Sequence, residues 1–137
     1  MGIITGCAST PLYQVSPTVP TASIKNSIEV TQSYNDSISI IVYENNKPFN
    51  LFYINSNKVV PEDSIAIEAN KSSKFGYRQS VRGGDTCNID VKATLIPNKK
   101  YVFVGGTTFS KSIIPFLPNR GCEFGIKDLD TGRLISD

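Results

Sequence analysis

The chain has 137 residues, with 14 basic and 12 acidic side chains and a formal net charge of +2. This length suits a single domain burying roughly two thirds of the surface its unfolded form would expose. So small a charge, spread along the chain, excludes the strong positive field of a nucleic-acid binder, and no apolar run reaches the roughly 18 to 20 residues that span a bilayer as a helix.

Residues 7–22, "CASTPLYQVSPTVPTA", are small, polar and proline-bearing. Pro11, Pro17 and Pro20 oppose both helix and central strand. The stretch reads as a flexible linker ahead of a domain spanning 23–137. Extended like polyproline it would reach about 50 Å.

The domain is rich in Ile, Val, Thr, Tyr and Phe, and Gly and Pro punctuate it. A first strand is expected at 27–31, and a second at 37–43, "SISIIVY", where Ile38, Ile40 and Val42 share one face. Further strands follow at 49–54, 58–60 and 64–69, separated by Asn-rich turns. Segments 74–81 and 86–95 flank "RGGD", where Gly83 and Gly84 suit a tight hairpin. The second of these alternates most cleanly, with Cys87, Ile89, Val91, Ala93 and Leu95 against Asn88, Asp90, Lys92 and Thr94. A strand at 101–104 is followed by "GGTTFSKSIIPFLPNRG", read as a long loop, then a strand at 122–128 and a small hairpin turning at Asp130-Thr131-Gly132. Eight or nine short strands at such spacing (about 8 to 12 residues apart) predict an all-β, antiparallel, Ig-like or related small sandwich.

Cys87 and Cys122 both fall on the apolar phase of their strands, so in a sandwich both point inward and a disulfide follows. The alternative is two separate buried thiols acting as small hydrophobes. A metal site is disfavoured, because no CxxC and no histidine complete a ligand set. Cys7 is then the odd cysteine at the head of the linker.

Without histidine, a serine nucleophile would need a lysine base, and no Ser-x-x-Lys stands on a helical pattern. Glu62, Asp63, Asp85, Asp90, Glu123 and Asp128 qualify as paired carboxylates by type alone. An enzyme is not expected, nor a cofactor, a metal or a small-molecule substrate. Two stretches suit a partner instead. Lys71, Lys74, Arg78 and Arg82 cluster on one hairpin arm, suited to an acidic partner or to anionic headgroups. Phe109, Ile113, Ile114, Phe116 and Leu117 form an apolar run that either contacts a partner or folds across the core.

Ile4-Thr5-Gly6-Cys7 resembles the lipobox of bacterial lipoproteins. The resemblance implies that residues 1–6 are the remnant of a signal peptide and that Cys7 is the first mature residue, carrying the acyl chains. Ala8 in place of Asp implies the outer membrane of a Gram-negative envelope, with the domain facing the periplasm. The segment from "KKYVFVGG" through "CEFGIKDLDTG" is similar to the ending of small β-sandwich domains in proteobacterial envelope lipoproteins. The expectation is a non-enzymatic binding or scaffolding protein, a subunit of an envelope or secretion assembly whose partner is another envelope protein. The alternative is an inhibitor or immunity protein that blocks a secreted toxin or lysozyme-type enzyme; "SSKFGY" is similar to the Ser-Gly-x-x-Tyr loop of lipoprotein lysozyme inhibitors.

Overall fold

The computed structural model describes residues 10–28, 37–55, 58–80, 86–110 and 119–136, except for the side chains at 80, 86, 107–110 and 119–121. The strands are β1 Thr21–Asn26, β2 Ser37–Glu44, β3 Lys47–Asn55, β4 Lys58–Val60, β5 Ile65–Glu68, β6 Ser72–Ser80, β7 Thr86–Thr94, β8 Lys100–Ser110 and β9 Asn119–Asp128. They form two sheets, ordered β5-β1-β8-β9 and β4-β3-β2-β6-β7. Every pairing is antiparallel except β1 with β8. The expected all-β sandwich is the observed fold.

Alternation builds the core between the sheets. Ile38, Ile40, Val42, Phe52, Ile54, Phe75 and Tyr77 from one sheet meet Ala22, Ile24, Ile67, Tyr101, Phe103 and Ile126 from the other, all buried. Phe103 is the hub: it stacks on Phe124 at 5.5 Å and meets the edges of Phe52 at 6.0 Å and Phe75 at 5.8 Å. Offset and edge-on packing suits the ring quadrupoles. The buried Tyr77 hydroxyl donates to Gln79 Oε1 at 2.7 Å, so this polar pair is satisfied inside the core.

Cys87 on β7 and Cys122 on β9 form a disulfide with Cα atoms 6.5 Å apart. Both strands are sheet edges, so the bond joins the two sheets along one side.

The structure redraws two elements. β1 lies at Thr21–Asn26, upstream of the expected 27–31, where 29–31 fall outside the described residues. It therefore starts within the expected linker, with Ala22 and Ile24 buried. The "long loop" after 104 is largely strand, since β8 runs to Ser110 and β9 begins at Asn119; pairing supplies the hydrogen bonds that the Gly- and Thr-rich sequence does not signal. β6 and β7 pair as far as Ser80↔Thr86, and Gly83 and Gly84, expected in the turn between them, lie outside the described residues. A two-residue turn joins β2 to β3, where Asn45 and Asn46 take φ values of 53° and 65° between the paired Glu44 and Lys47.

Candidate functional site

The outer face of the five-stranded sheet collects the cations. In β2, β6 and β7 the phase that sends Ile40, Val42, Phe75, Tyr77 and Val91 inward sends Ile41, Tyr43, Lys74, Gly76, Arg78, Asp90 and Lys92 outward. Tyr43 is the platform. Arg78 Nη2 donates to its hydroxyl at 2.8 Å and to Asp90 Oδ1 at 2.8 Å, while Lys74 Nζ sits 4.3 Å from its ring centroid. Burial pulls the Arg78 guanidinium down, but Asp90 and Tyr43 together outweigh it and its pKa is raised.

Gly76 makes this cluster sterically feasible. A Cβ there would lie 2.9 Å from both Asp90 Oδ1 and Ile41 Cγ1 and 3.1 Å from Arg78 Nη1, so a side chain would displace the guanidinium. The face is also electrostatically strained, because Lys74 lies directly across from Lys92. Like charges in that position destabilise a sheet by a few tenths of a kcal/mol to about 1 kcal/mol, a cost that a bound anion would relieve. Lys58 on β4, paired with the outward Asn55, adds a further exposed cation to the same face.

The N-terminal segment lies along the opposite side of the sandwich from the disulfide. Leu12 bridges to Asn50 in parallel: the Tyr13 amide donates to the Asn50 carbonyl at 2.8 Å, and the Asn50 amide to the Pro11 carbonyl at 2.8 Å. The Tyr13 hydroxyl reaches the other sheet and accepts from the Glu68 amide at 3.1 Å. Tyr13 thus clasps β3 to β5; burial, its largest influence, raises its pKa. Residues 10–20, expected as linker, are in this part laid against the domain. Beneath them, Leu12, Tyr13, Leu51, Val60, Pro61 and Ile65 line a mainly apolar groove of about 290 Å³, with Leu12 and Val60 exposed at its rim.

A third feature is the β8–β9 arm. β1 accompanies β8 only as far as Phe103, yet the β8–β9 ladder continues from Thr107↔Cys122 to Ser110↔Asn119. Gly105 at the base has φ +129°, and a Cβ there would lie 2.2 Å from the Glu123 carbonyl oxygen. Only glycine fits so close an approach. The disulfide at Cys122 holds the start of the arm against β7.

Two further lysines brace the periphery through ion pairs. Lys71 bridges Glu44 and Glu68; burial pulls its pKa down, but the two carboxylates outweigh that and raise it. Lys99 bonds Asp128 at 2.9 Å, raising the Lys99 pKa and, with the Asp130 amide, lowering that of Asp128.

Of the residues singled out from sequence, Lys74 and Arg78 share one face around Tyr43, and Cys87 joins Cys122. Phe109 lies on β8 in register with Arg120. Cys7, Arg82, Ile113, Ile114, Phe116 and Leu117 lie outside the described residues. "SSKFGY" is not a loop: it lies within β6, with Phe75 and Tyr77 in the core, which removes its likeness to an inhibitor loop. Sequence reasoning missed Tyr43, Lys92 and Lys58, and gave Asp90 only as a candidate carboxylate by type. The outward phase of strands 37–43 and 86–95 carried the signal for Tyr43, Asp90 and Lys92. Comparison with protein-family models, curated proteins and solved structures finds no match to this chain. What fold and surface define is a β-sandwich, closed on one side by a disulfide and clasped on the other by Tyr13, with a cation-bearing face.

Proposed function

We propose that this chain is a lipid-anchored protein of the bacterial cell envelope, held at the outer membrane on its periplasmic side, with a non-enzymatic binding role in an envelope or secretion assembly. Cys7 carries the lipid in this reading. Its support is the likeness of Ile4-Thr5-Gly6-Cys7 to a lipobox and the pairing of the other two cysteines, a bond suited to an oxidising compartment. Several acyl chains on one residue give stable anchoring where one does not.

The observation that carries the binding role is the β8–β9 arm, whose strands bracket the apolar sequence containing Ile113, Ile114, Phe116 and Leu117. In this reading that apolar sequence, which lies outside the described residues, is the contact element for a partner. The same arm would suit an inhibitor that enters an enzyme's cleft, and one experiment separates the readings. A photo-crosslinking residue at Phe109 in cells expressing the full gene is expected to trap one envelope protein. Trapping a secreted hydrolase that the purified domain inhibits would establish the inhibitor instead. Labelled palmitate is expected in the wild type and absent from Cys7→Ser; equal labelling of both would refute the anchor.

A further inference from the structure

We propose that the outer face of the five-stranded sheet is a membrane-docking face, which lies against anionic phospholipid headgroups when the chain is anchored. The inference rests on lipidation of Cys7 and adds an orientation to it.

Two observations carry it. The first is where the chain meets the domain. Asn50 pairs with the outward Ile41, and its Nδ2 donates to the Thr10 carbonyl at 3.1 Å, so Thr10 lies at the border of this face. Cys7 precedes Thr10 by three residues in the sequence, a stretch whose full reach is about 11 Å at 3.8 Å per residue. A lipid on Cys7 therefore brings the bilayer surface to this border. Lys74 and Lys92 lie two and three strands in from β3, roughly 10 and 14 Å across the sheet from Asn50 at the usual strand spacing.

The second observation is charge. Lys58, Lys74, Arg78 and Lys92 point out from this face, with Asp90 the carboxylate among them, and Asp90 is already paired with Arg78. Neither Lys74 nor Lys92 has an ion-pair partner among the described residues. Tyr43 holds Lys74 in place. The other sheet also presents lysines outward, Lys25 and Lys100 among them, so charge alone does not select a face. The tether does: a juxtaposed acyl anchor and basic patch are the two signals that together hold a protein on an anionic membrane.

The test couples the free Cys7 thiol of the folded, disulfide-bonded chain to maleimide-lipid vesicles and maps lysine acetylation. One vesicle set is phosphatidylcholine, the other an equimolar mixture with phosphatidylglycerol. Acetylation of Lys58, Lys74 and Lys92 is expected to fall about fivefold on the anionic vesicles relative to the neutral ones, the factor one cation gains near such a surface. High salt should restore it, and Lys25 and Lys100 should be unchanged. Lys74→Gln with Lys92→Gln is expected to abolish the protection of Lys58. Equal labelling on both lipids, or protection of Lys25 and Lys100 instead, would overturn the proposal. So would protection by soluble polyglutamate but not by the anionic vesicles, which would assign the face to an acidic protein. Because coupling replaces acylation, these outcomes are independent of whether Cys7 is lipidated in cells.

Discussion

Reducing the Cys87–Cys122 bond should cost this domain a large share of its stability. The bond closes a span of 35 residues between the edges of two different sheets, and among the described residues no hydrogen-bonded ladder joins β7 to β9. The chain-entropy relation for a loop of that length gives about 4 kcal/mol at 25 °C, against a total of roughly 5 to 15 kcal/mol for a domain. With a urea m-value near 2 kcal/mol/M, the unfolding midpoint should drop by about 2 M. The assay is urea unfolding of Cys7→Ser, oxidised and reduced, followed by far-UV circular dichroism and by tyrosine fluorescence, since the chain has six tyrosines and no tryptophan. Comparing two redox forms of one sequence leaves core packing unchanged, which a Cys→Ala pair would not. A midpoint shift below about 0.5 M at unchanged m would refute the reasoning: it would mean that the span is already restricted in the reduced, unfolded chain.

Phe103→Ala, which empties the hub of the aromatic cluster, should cost about 3 to 5 kcal/mol in the same unfolding assay. Tyr13→Phe leaves the Glu68 amide without its acceptor and should cost about 1 kcal/mol. Because burial raises the Tyr13 pKa, the hydroxyl's contribution is fully present below the unfolded value near pH 10 and is lost as pH rises through the folded one; the Phe variant should lose that alkaline step. Asp128 has the opposite sign: its folded pKa is lowered, so its contribution is present above about pH 4 and is lost as pH falls through the folded value. Asp128→Asn should flatten that acid limb and speed amide exchange at Asp130 and Thr131, whose N–H groups its carboxylate holds.

Much of the candidate face was within reach of the sequence. Arg78 and Lys74 share a phase by spacing, and Asp90 and Lys92 lie on the polar phase of the most regular strand. Their partnership depends on the register between the two strands, which neither strand's own alternation states. A slip of one residue would place Tyr77 across from Asp90, setting a core ring and a carboxylate on one face. The observed pairing of Tyr77 with Ile89 keeps like with like, and it brings Lys74 to Lys92 and Arg78 within reach of Asp90. Tyr43 was harder to find, because a tyrosine ending an apolar strand has the same local signature whether it faces core or cation.

The sequence by itself determined the class of fold, most strand positions, the inward phase of Cys87 and Cys122, and the near-neutral charge, because each follows from residue type and a two-residue period. Tertiary structure decided everything that needs a neighbour. It pairs β1 in parallel with β8, extends the β8–β9 arm through a stretch of weak strand propensity, and lays the proline-rich segment along β3 with Tyr13 clasped to β5. The physical reason is that backbone hydrogen bonds, cross-strand charge and the course of the N-terminal segment depend on which strand lies alongside, and a chain read one residue at a time does not contain that distance.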